Sequence, residues 1–334
     1  MKTHPLAANY NFSRYREGMK TGHYESFFLR ANHPVKAQAF WIRYTIFVPK
    51  GEPGSAIGEL WATWFDGATG RHVSVREELP AVKCAFSPDT LGVRIGGAFL
   101  ETGRLKGTAH HRGHTVAWDL AYKGNEPPLY LFAPALYAKG FPRAKSLVGL
   151  PLAAFSGNLT VDGTVHRVDA WTGSQNHNWG SRHTDDYAWG QVARFDNAPA
   201  SFLEIGTGRV KIGPLWTPYL TMISLRHDGV DYGLNTIRQA LRARGSFGNF
   251  HWKFFSENRQ ARIGGELVSD PKNFVGLTYR NPPGGSKFCL NCKIASCALT
   301  LTLPGKRPIR METANRAAFE ILTDDPGHGV TMHV

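Results

Sequence analysis

The chain has 334 residues, of which 42% are hydrophobic, 12% aromatic and 19% charged, a composition that excludes a disordered chain. No uninterrupted apolar run approaches the roughly 18–20 residues that a membrane-spanning helix needs. The 39 Lys and Arg residues outnumber the 26 Asp and Glu residues and give a net charge of +13. Because these basic residues are scattered singly, we expect no nucleic-acid binding and at most a weak attraction to an anionic membrane surface.

The first segments along the chain have the character of β-strands. The N-terminal residues 1–5 precede no apolar segment, so no signal peptide is predicted and a cytoplasmic protein, at most peripheral to a membrane, is expected. Residues 39–48 and 57–65 are rich in aromatic and β-branched side chains, which suit a pleated surface. Residues 115–122 alternate apolar and polar with period two, the pattern of a half-buried strand.

Tight turns separate many of these runs, and helical periodicity is scarce. Asp-Gly pairs, which favour the positive φ angles of hairpin turns, occur at residues 66–67, 162–163 and 228–229. Residues 234–244 predict one short helix. Residues 311–322 are compatible with either a helix or a strand.

Many short strands with regular turns predict an all-β fold, either a sandwich or a barrel, with few short helices. Since 334 residues are many for one barrel, two β-domains are expected, comprising residues 1–182 and 183–334. The boundary is predicted within residues 180–185. The Pro- and Gly-rich segment 282–286 is predicted to be a loop inside the second domain.

One segment, residues 171–191, concentrates three Trp, one Tyr, two His and several amides. In an extended chain His177 and Trp179 share one face, and Tyr187, Trp189 and Gln191 share another. Two interpretations are open. The segment presents an imidazole and aromatic rings to a binding cavity, or it forms a polar network between domains with Trp residues as packing.

Neither a metal nor a nucleotide cofactor is predicted. His177 and His183 lie six residues apart without a third ligand, and the pair Cys289 and Cys292 lacks a matching second pair. The cysteines are therefore interpreted as small buried strand residues. No phosphate-binding loop, dinucleotide fingerprint or nucleophile elbow is present in the sequence.

The string formed by residues 173–180, followed by Tyr187-Ala188-Trp189, resembles the hinge of the carotenoid 1,2-hydratase (hydroxyneurosporene synthase) and tocopherol cyclase-like superfamily. Residues 24–34 with 40–44, and residues 155–159, resemble other parts of the same family. The resemblance implies two lipocalin-like antiparallel β-barrels packed side by side. It also implies enzymes that hydrate or cyclise isoprenoid double bonds without metal or nucleotide, with relatives that catalyse pericyclic ring closures.

The resemblance also places the family's motifs. The His-x-Trp element of the family maps onto His177 and Trp179. The family's downstream Tyr-x-Asp element falls near residues 202–204, where this chain has Phe202 and Glu204 instead.

Protonation of an alkene requires an acid held in a dry pocket and then stabilisation of a carbocation. Three groups are candidates for this acid: Glu204, Glu25 and protonated His177. Three rings are candidates to stabilise the cation through their faces: Trp179, Tyr187 and Trp189. A water or a polar head group of the substrate is expected to be held by Asn176, Asn178 and Gln191.

Three hypotheses follow. The leading one is a cofactor-independent lyase or isomerase, of hydratase or cyclase type, that acts on a carbon-carbon double bond of a hydrophobic isoprenoid-like or polyketide-like small molecule. The second is a non-catalytic lipocalin-like carrier of an apolar ligand. The third is a membrane-surface or structural module that uses the positive net charge. The sequence contains no indication of the oligomeric state.

Overall fold

The computed structural model describes residues 9–248 and 250–334, and most of its regular structure is antiparallel β-sheet. The first large sheet has twelve strands and uses the chain up to Gly180. Its strands are β1 (His23–Asn32), β2 (Gln38–Val48), β3 (Ile57–Asp66), β4 (Val73–Pro80), β5 (Cys84–Phe86), β6 (Gly92–Ile95), β7 (Ala98–Glu101), β8 (Arg104–His111), β9 (His114–Lys123), β10 (Leu129–Tyr130), β11 (Ala144–Val161) and β12 (Thr164–Gly180).

The chain from Asp186 onward contributes the remaining strands. They are β13 (Asp186–Ala193), β14 (Ser201–Arg209), β15 (Lys211–Ile212), β16 (Leu215–Trp216), β17 (Leu220–His227), β18 (Val230–Leu234), β19 (Arg244–Gly248), β20 (His251–Glu257), β21 (Arg262–Val268), β22 (Val275–Arg280), β23 (Ser286–Thr302) and β24 (Ile309–Thr323). Strands β15 and β16 form a separate ribbon, and the other ten form the second large sheet. The helical segments are α1 (Pro134–Tyr137), α2 (Ile237–Arg242) and 3-10 turns at Pro53–Ser55, Ala81–Lys83 and Pro271–Asn273.

Both sheets curl around themselves. The strand order in the first sheet is β4-β3-β2-β1-β12-β11-β9-β8-β7-β6-β5, with β10 beside β11. Strand β4 lies against β8 and β9, so this barrel is nearly closed. The order in the second is β18-β17-β14-β13-β24-β23-β21-β20-β19, with β22 beside β23, and β17 meets β19 and β20. Each sheet therefore encloses a core of its own.

The alternation of side chains along β1 and β2 divides the core into two parts. Phe27 and Leu29 point into the first barrel, where they pack with the group that contains Trp118. Phe28, the residue between them, points outward and joins the core of the second sheet, as does Trp41 on β2. The outer face of the first barrel is thus packed against the second sheet, and each fully buried ring or Leu contributes about 1.5–3 kcal/mol to this packing.

Most of the predicted elements are present. The expected strands correspond to β2, β3 and β9, and the short helix is α2, which begins with a reciprocal capping box between Thr236 and Gln239. Residues 311–322 lie within strand β24, because pairing with β13 on one side and β23 on the other satisfies their backbone groups. The Asp-Gly pairs at 162–163 and 228–229 have positive φ at both residues, as a type I′ turn requires, whereas the pair at 66–67 has positive φ at neither residue.

The two large sheets are built from separate parts of the chain. The first sheet ends at Gly180 and the second begins at Asp186. The division into domains at residues 182 and 183 stays a prediction. Residues 281–285 form the turn between β22 and β23, so the predicted loop 282–286 extends one residue into β23.

Candidate active site

A cavity of about 570 Å³ lies between the outer face of β1 and β2 and the facing surface of the second sheet. This position follows from strand alternation, because every second residue of β1, β2 and β13 points toward the space between the sheets. Aromatic rings form a substantial part of the cavity wall. Its rings include Tyr24, Phe28, Trp41, Tyr187, Trp189 and Tyr279. A concave, mainly apolar space with a few polar groups is the usual form of a small-molecule site.

One carboxyl group, that of Glu320 on β24, lies in the wall of this cavity. The Tyr187 hydroxyl donates a hydrogen bond of 3.1 Å to Oε1 of Glu320, and Asn291 Nδ2 donates one of 3.0 Å to Oε2. Lys293 Nζ lies 3.5 Å from the same Oε2. Burial lowers the pKa of Lys293, and the negative charge of Glu320 opposes that shift. The arrangement holds a carboxyl group in one orientation at the cavity surface.

Two further groups make the wall polar near β1 and β2. His183 stacks on Tyr24, with ring centroids 4.0 Å apart, and burial lowers the pKa of His183 to about 3, so its imidazole is neutral at physiological pH. The Arg43 guanidinium lies over the Tyr279 ring at 4.5 Å, and Arg43 Nε donates to Ser26 Oγ at 2.9 Å. Both groups line the cavity.

Glu204 lies behind the cavity wall rather than in it. Its Oε1 accepts a 2.8 Å hydrogen bond from the Trp189 indole N–H, and its Oε2 accepts one of 2.8 Å from Gln191 Nε2. Burial raises the pKa of Glu204 to about 7, opposed by these two hydrogen bonds and by the charge of Arg30. Glu204 is therefore partly protonated at neutral pH, and it holds the edge of a ring that faces the cavity.

The amides near Glu204 form a network between the sheets, which we call the inter-sheet network and define as Arg30, Ser174, Asn176, Gln191 and Glu204. Gln191 is its centre. The Gln191 Oε1 accepts hydrogen bonds from Arg30 Nε at 2.7 Å and from Ser174 Oγ at 2.7 Å, while Gln191 Nε2 also donates to Asn176 Oδ1 at 2.7 Å. All five side chains are buried, so the network fixes β12 against β13.

His177 and Glu25 lie on the opposite face of β1 and β12, in a group that we call the His177 cluster and define as Ser13, His23, Glu25 and His177. His177 Nε2 is 2.8 Å from Glu25 Oε1, and His177 Nδ1 is 2.7 Å from the backbone oxygen of Tyr10. Glu25 Oε2 is 3.3 Å from His23 Nε2 and accepts from Ser13 Oγ at 2.8 Å.

The carboxyl of Glu25 also accepts hydrogen bonds from the backbone N–H groups of Arg14 and Tyr15. Burial on its own would raise the pKa of Glu25, but the hydrogen bonds and charges of His177 and His23 outweigh it and hold that pKa well below its usual range. Glu25 is thus a carboxylate at neutral pH and has no proton to donate.

The sequence predicts one cavity that contains His177, Trp179 and Trp189 together, and the structure corrects this. Trp189, Tyr187 and Asn178 line the inter-sheet cavity, whereas His177 and Trp179 do not. The physical reason is strand alternation. His177 and Trp179 pair across β1 with Phe27 and Glu25 and share their face, and Asn178 between them faces the other way. The other predicted binding residues, Asn176 and Gln191, belong to the inter-sheet network.

Several residues of the cavity wall were not predicted as substrate-binding or catalytic, among them Arg43, Tyr279 and Glu320, and His183 was considered only as a metal ligand. Glu320 is directly opposite Trp189 in the pairing of β24 with β13, but that register joins residues more than a hundred positions apart. Arg43 carried a usable indication, because a charged residue at the centre of a strongly apolar strand needs a polar partner or a ligand.

Within residues 9–248 and 250–334 no group of three or more His, Cys, Asp or Glu side chains is placed to hold a metal ion. Cys289, Cys292 and Cys297 are buried free thiols. Among the described helices, none combines the length and the apolar character needed to cross a bilayer.

Comparison with known proteins supports the fold. No protein-family model matches the chain. The chain is 28% identical over 294 residues to an uncharacterized protein of Mycobacterium tuberculosis, found in strains CDC 1551 / Oshkosh and ATCC 25618 / H37Rv, and the match covers 84% of this chain and 82% of the relative.

Three solved structures are similar. A candidate AttH protein of Nitrosomonas europaea superposes with a TM-score of 0.57 at 14% identity, covering 92% of this chain and 94% of that one. Kievitone hydratase from Nectria haematococca gives 0.53 at 12% identity, covering 91% and 89%. CghA with Sch210972 gives 0.54 at 12% identity, covering 92% and 90%. The predicted all-β fold of two lipocalin-like units side by side is confirmed, and at these identities the likeness concerns the fold alone.

Proposed function

We propose that this protein is an enzyme of hydratase or cyclase type that adds a proton to a carbon-carbon double bond of a hydrophobic small molecule bound between its two sheets. The observation that carries the proposal is the carboxyl of Glu320, which is held by three donors in a cavity wall that also presents several aromatic rings. A site that joins an oriented acid with aromatic faces has the two components that alkene protonation needs.

The proposed chemistry uses side chains alone. Glu320 in its acid form gives its proton to one carbon of the double bond, and the faces of Trp41 and Trp189 stabilise the cation by about 0.5–2 kcal/mol each. In a hydration, water bonds to the other carbon and returns one proton to the Glu320 carboxylate. In a cyclisation, a second double bond attacks the cation, and the final loss of a proton restores Glu320. Both sequences leave the protein unchanged.

The residues predicted from sequence have supporting roles in this proposal. Glu204 holds the indole of Trp189 and so orients a ring of the cavity. His177 and Glu25 fix β12 to β1 from the other face and are positioning residues. The names of two structural neighbours, kievitone hydratase and CghA, belong to proteins of the same fold, and the first of these names states a hydration.

The experiment is an incubation of the purified protein in D2O with three probes: kievitone, an acyclic carotenoid, and a linear polyene with a terminal β-dicarbonyl group. Mass spectrometry then detects the gain of a water or the incorporation of deuterium at carbon. We expect Glu320→Gln to lower kcat/KM on the converted probe by about 10²–10⁴-fold, the usual contribution of a general acid. Tyr187→Phe is expected to lower it by about tenfold, because one donor to Glu320 is lost.

The matched control is Glu204→Gln, the same change at another buried carboxyl, which lies on β14 beside β13 and outside the cavity wall. It is expected to change kcat/KM by less than about tenfold, since glutamine keeps an oxygen for the Trp189 N–H. If Glu320→Gln retains full activity while Glu204→Gln loses it, the assignment of the acid is wrong.

The second candidate function, a carrier of an apolar ligand, is favoured by the fact that Glu320 already has three donors, as a structural carboxylate has. A carrier would release its bound molecule unchanged and without deuterium after prolonged incubation. That result with all three probes, together with tight binding of one of them, would favour the carrier over the enzyme.

A further inference from the structure

Two buried arginines lie on neighbouring strands and differ in their partners. Arg30 on β1 donates from Nε to Gln191 and from Nη1 to Asn32, and both of its terminal nitrogens also reach backbone oxygens. Arg43 on β2 donates only from Nε, to Ser26. In the part of the chain that the structure describes, no acceptor and no carboxylate lies within bonding distance of the terminal nitrogens of Arg43.

The terminal nitrogens of Arg43 have no hydrogen-bond acceptor, and the guanidinium lies over the Tyr279 ring in the cavity wall. The residue is 4% exposed and belongs to the cavity wall. Burial alone would lower the pKa of Arg43, but the surrounding Tyr279, Glu59 and Glu320 outweigh it and raise that pKa, so the group keeps its charge. A charged guanidinium that opens onto a largely enclosed cavity and has no protein acceptor is a favourable partner for an anionic ligand group, because a charge-assisted hydrogen bond is stronger than a neutral one.

A second unpartnered group lies beside Arg43. Asn178 is directly opposite Ser26 in the pairing of β12 with β1, and Ser26 is the residue that Arg43 contacts. Directly opposite side chains in an antiparallel pair are about 4.5–5.5 Å apart at Cβ. The Asn178 Oδ1 is buried without a hydrogen-bond donor, and Asn178 also lines the cavity. A donor without an acceptor and an acceptor without a donor therefore flank Ser26.

The charge of the cavity wall has one dominant sign. Its only acidic residue among those described is Glu320, whereas its Lys and Arg residues are Arg43, Arg143, Lys145, Arg182, Arg209 and Lys211. Several of these cations have partners of their own, such as Asp185 for Arg182 and Asp186 for Arg209. A cleft lined by one sign of charge concentrates ligands of the opposite sign.

We propose that the molecule bound in this cavity carries an acidic oxygen, which is a carboxylate or an ionised phenol or enol. The terminal nitrogens of Arg43 bind this oxygen. Asn178 Oδ1 accepts a hydrogen bond from a neighbouring O–H or N–H of the same molecule. The inference rests on the proposed function only in taking the cavity as the ligand site. It selects an amphipathic acid rather than a pure hydrocarbon as the substrate class, because a hydrocarbon would leave both groups without partners.

The test measures binding of matched pairs of probes by quenching of tryptophan fluorescence, since Trp41 and Trp189 line the cavity. The first pair is 2-naphthoate and 2-naphthamide. The second is 4-nitro-1-naphthol, ionised at the pH used, and its methyl ether. We expect the wild-type chain to prefer the anion of at least one pair by about tenfold or more, and the pair that shows the preference tells a carboxylate from a phenolate or enolate.

In Arg43→Met the preference for the anion over the neutral probe is expected to fall to within about twofold, while the neutral probe still binds. Arg43→Lys keeps the charge but loses the paired donors of the guanidinium, so it is expected to retain part of the preference. The matched control is Arg209→Met, a cavity arginine that has Asp186 as its partner. It is expected to keep the preference, and added salt is expected to weaken anion binding only slightly because the contact is buried.

An equal preference in wild type and in both Arg43 variants would overturn the inference, as would a preference that Arg209→Met or moderate salt removes. Tight binding of the neutral probes alone would also overturn it, yet would leave the proposed function standing. Should Arg43→Met fail to fold, the comparison of Arg43→Lys with wild type decides.

Discussion

The His177 cluster lies on one face of β1 and β12, and the cavity wall lies on the other face with the inter-sheet network behind it. The carboxyl groups of these two regions have pKa values shifted in opposite directions. Glu25 and Glu204 are both fully buried. The pKa of Glu25 is held well below its usual range, because imidazoles and backbone N–H groups surround it. Burial raises the pKa of Glu204 to about 7, because the neutral N–H groups of Trp189 and Gln191 and the charge of Arg30 oppose it only in part.

This difference shows that burial does not by itself decide the protonation of a carboxyl group, since the number and charge of its donors do. A carboxylate fixed by five donors stabilises the fold and has no proton to give. Carboxyls with fewer donors, next to a cavity, are where acid chemistry is feasible. The predictions below test the two regions separately.

The largest effect on stability is expected on the Glu25 side. Glu25→Ala removes the acceptor of the buried side chains of Ser13 and His177 and of the partly buried backbone N–H groups of Arg14 and Tyr15. We expect a loss of about 3–5 kcal/mol in the free energy of unfolding, measured in urea. Glu101→Ala, at an exposed ion pair with Arg94, is the control and should cost no more than about 1 kcal/mol. Equal losses in the two variants would contradict the assignment of Glu25 as a structural carboxylate.

The next effect concerns the dependence of stability on pH. The pKa of Glu204 rises from 4.5 in the unfolded chain to about 7 in the folded chain. Between these two pH values the folded chain therefore binds more protons than the unfolded chain. Its stabilising contribution is complete below pH 4.5 and is lost as pH rises to about 7, a change of about 3 kcal/mol. Glu204→Gln should remove that loss in urea titrations at several pH values. For Glu25 the pH dependence of stability has the opposite sign. Its stabilising contribution is lost as pH falls below the pKa that Glu25 has in the unfolded chain.

A smaller effect is expected from Trp189→Phe. Phenylalanine keeps an aromatic face toward the cavity but removes the indole N–H that Glu204 accepts. We expect a loss of about 1–3 kcal/mol in the free energy of unfolding, the usual cost of leaving one buried polar group without its partner. The double variant with Glu204→Leu tests this reason, because the Trp189→Phe loss should largely disappear once the carboxyl is absent. An unchanged loss in the double variant would mean that packing, not the hydrogen bond, is responsible.

The smallest effect is expected on the other face of β12. Trp179 is partly exposed, and the Arg14 guanidinium lies 5.2 Å from its ring centre. Trp179→Leu removes this cation–π contact and should reduce the free energy of unfolding by about 0.5–1 kcal/mol. Thermal denaturation of Trp179→Leu and Trp189→Leu side by side gives the comparison directly. A greater loss at Trp179 than at Trp189 would reverse the ranking of the two regions.

Much of the local structure could be predicted from residues close together in the sequence. Strands such as β9 show a period of two, and Asp-Gly pairs specify turns, because these depend on a few adjacent side chains. The resemblance of residues 173–180 to a family hinge indicated the double lipocalin-like fold. Residues 311–322 could not be assigned to a helix or a strand from sequence. Their conformation is decided by pairing with β13 and β23, and this pairing is not visible in the residues of the segment itself.

The sequence by itself determined the all-β class and the concentration of aromatic and amide side chains in residues 171–191. Only the tertiary structure decided which of those side chains meet. It placed Asn178 in the cavity and His177 on the far side of the same strand, and it brought Arg43 from β2 and Glu320 from β24 into one wall. The physical reason is that neighbours on a strand point to opposite faces, whereas the members of a site are joined by pairing and packing between strands that are distant in the chain.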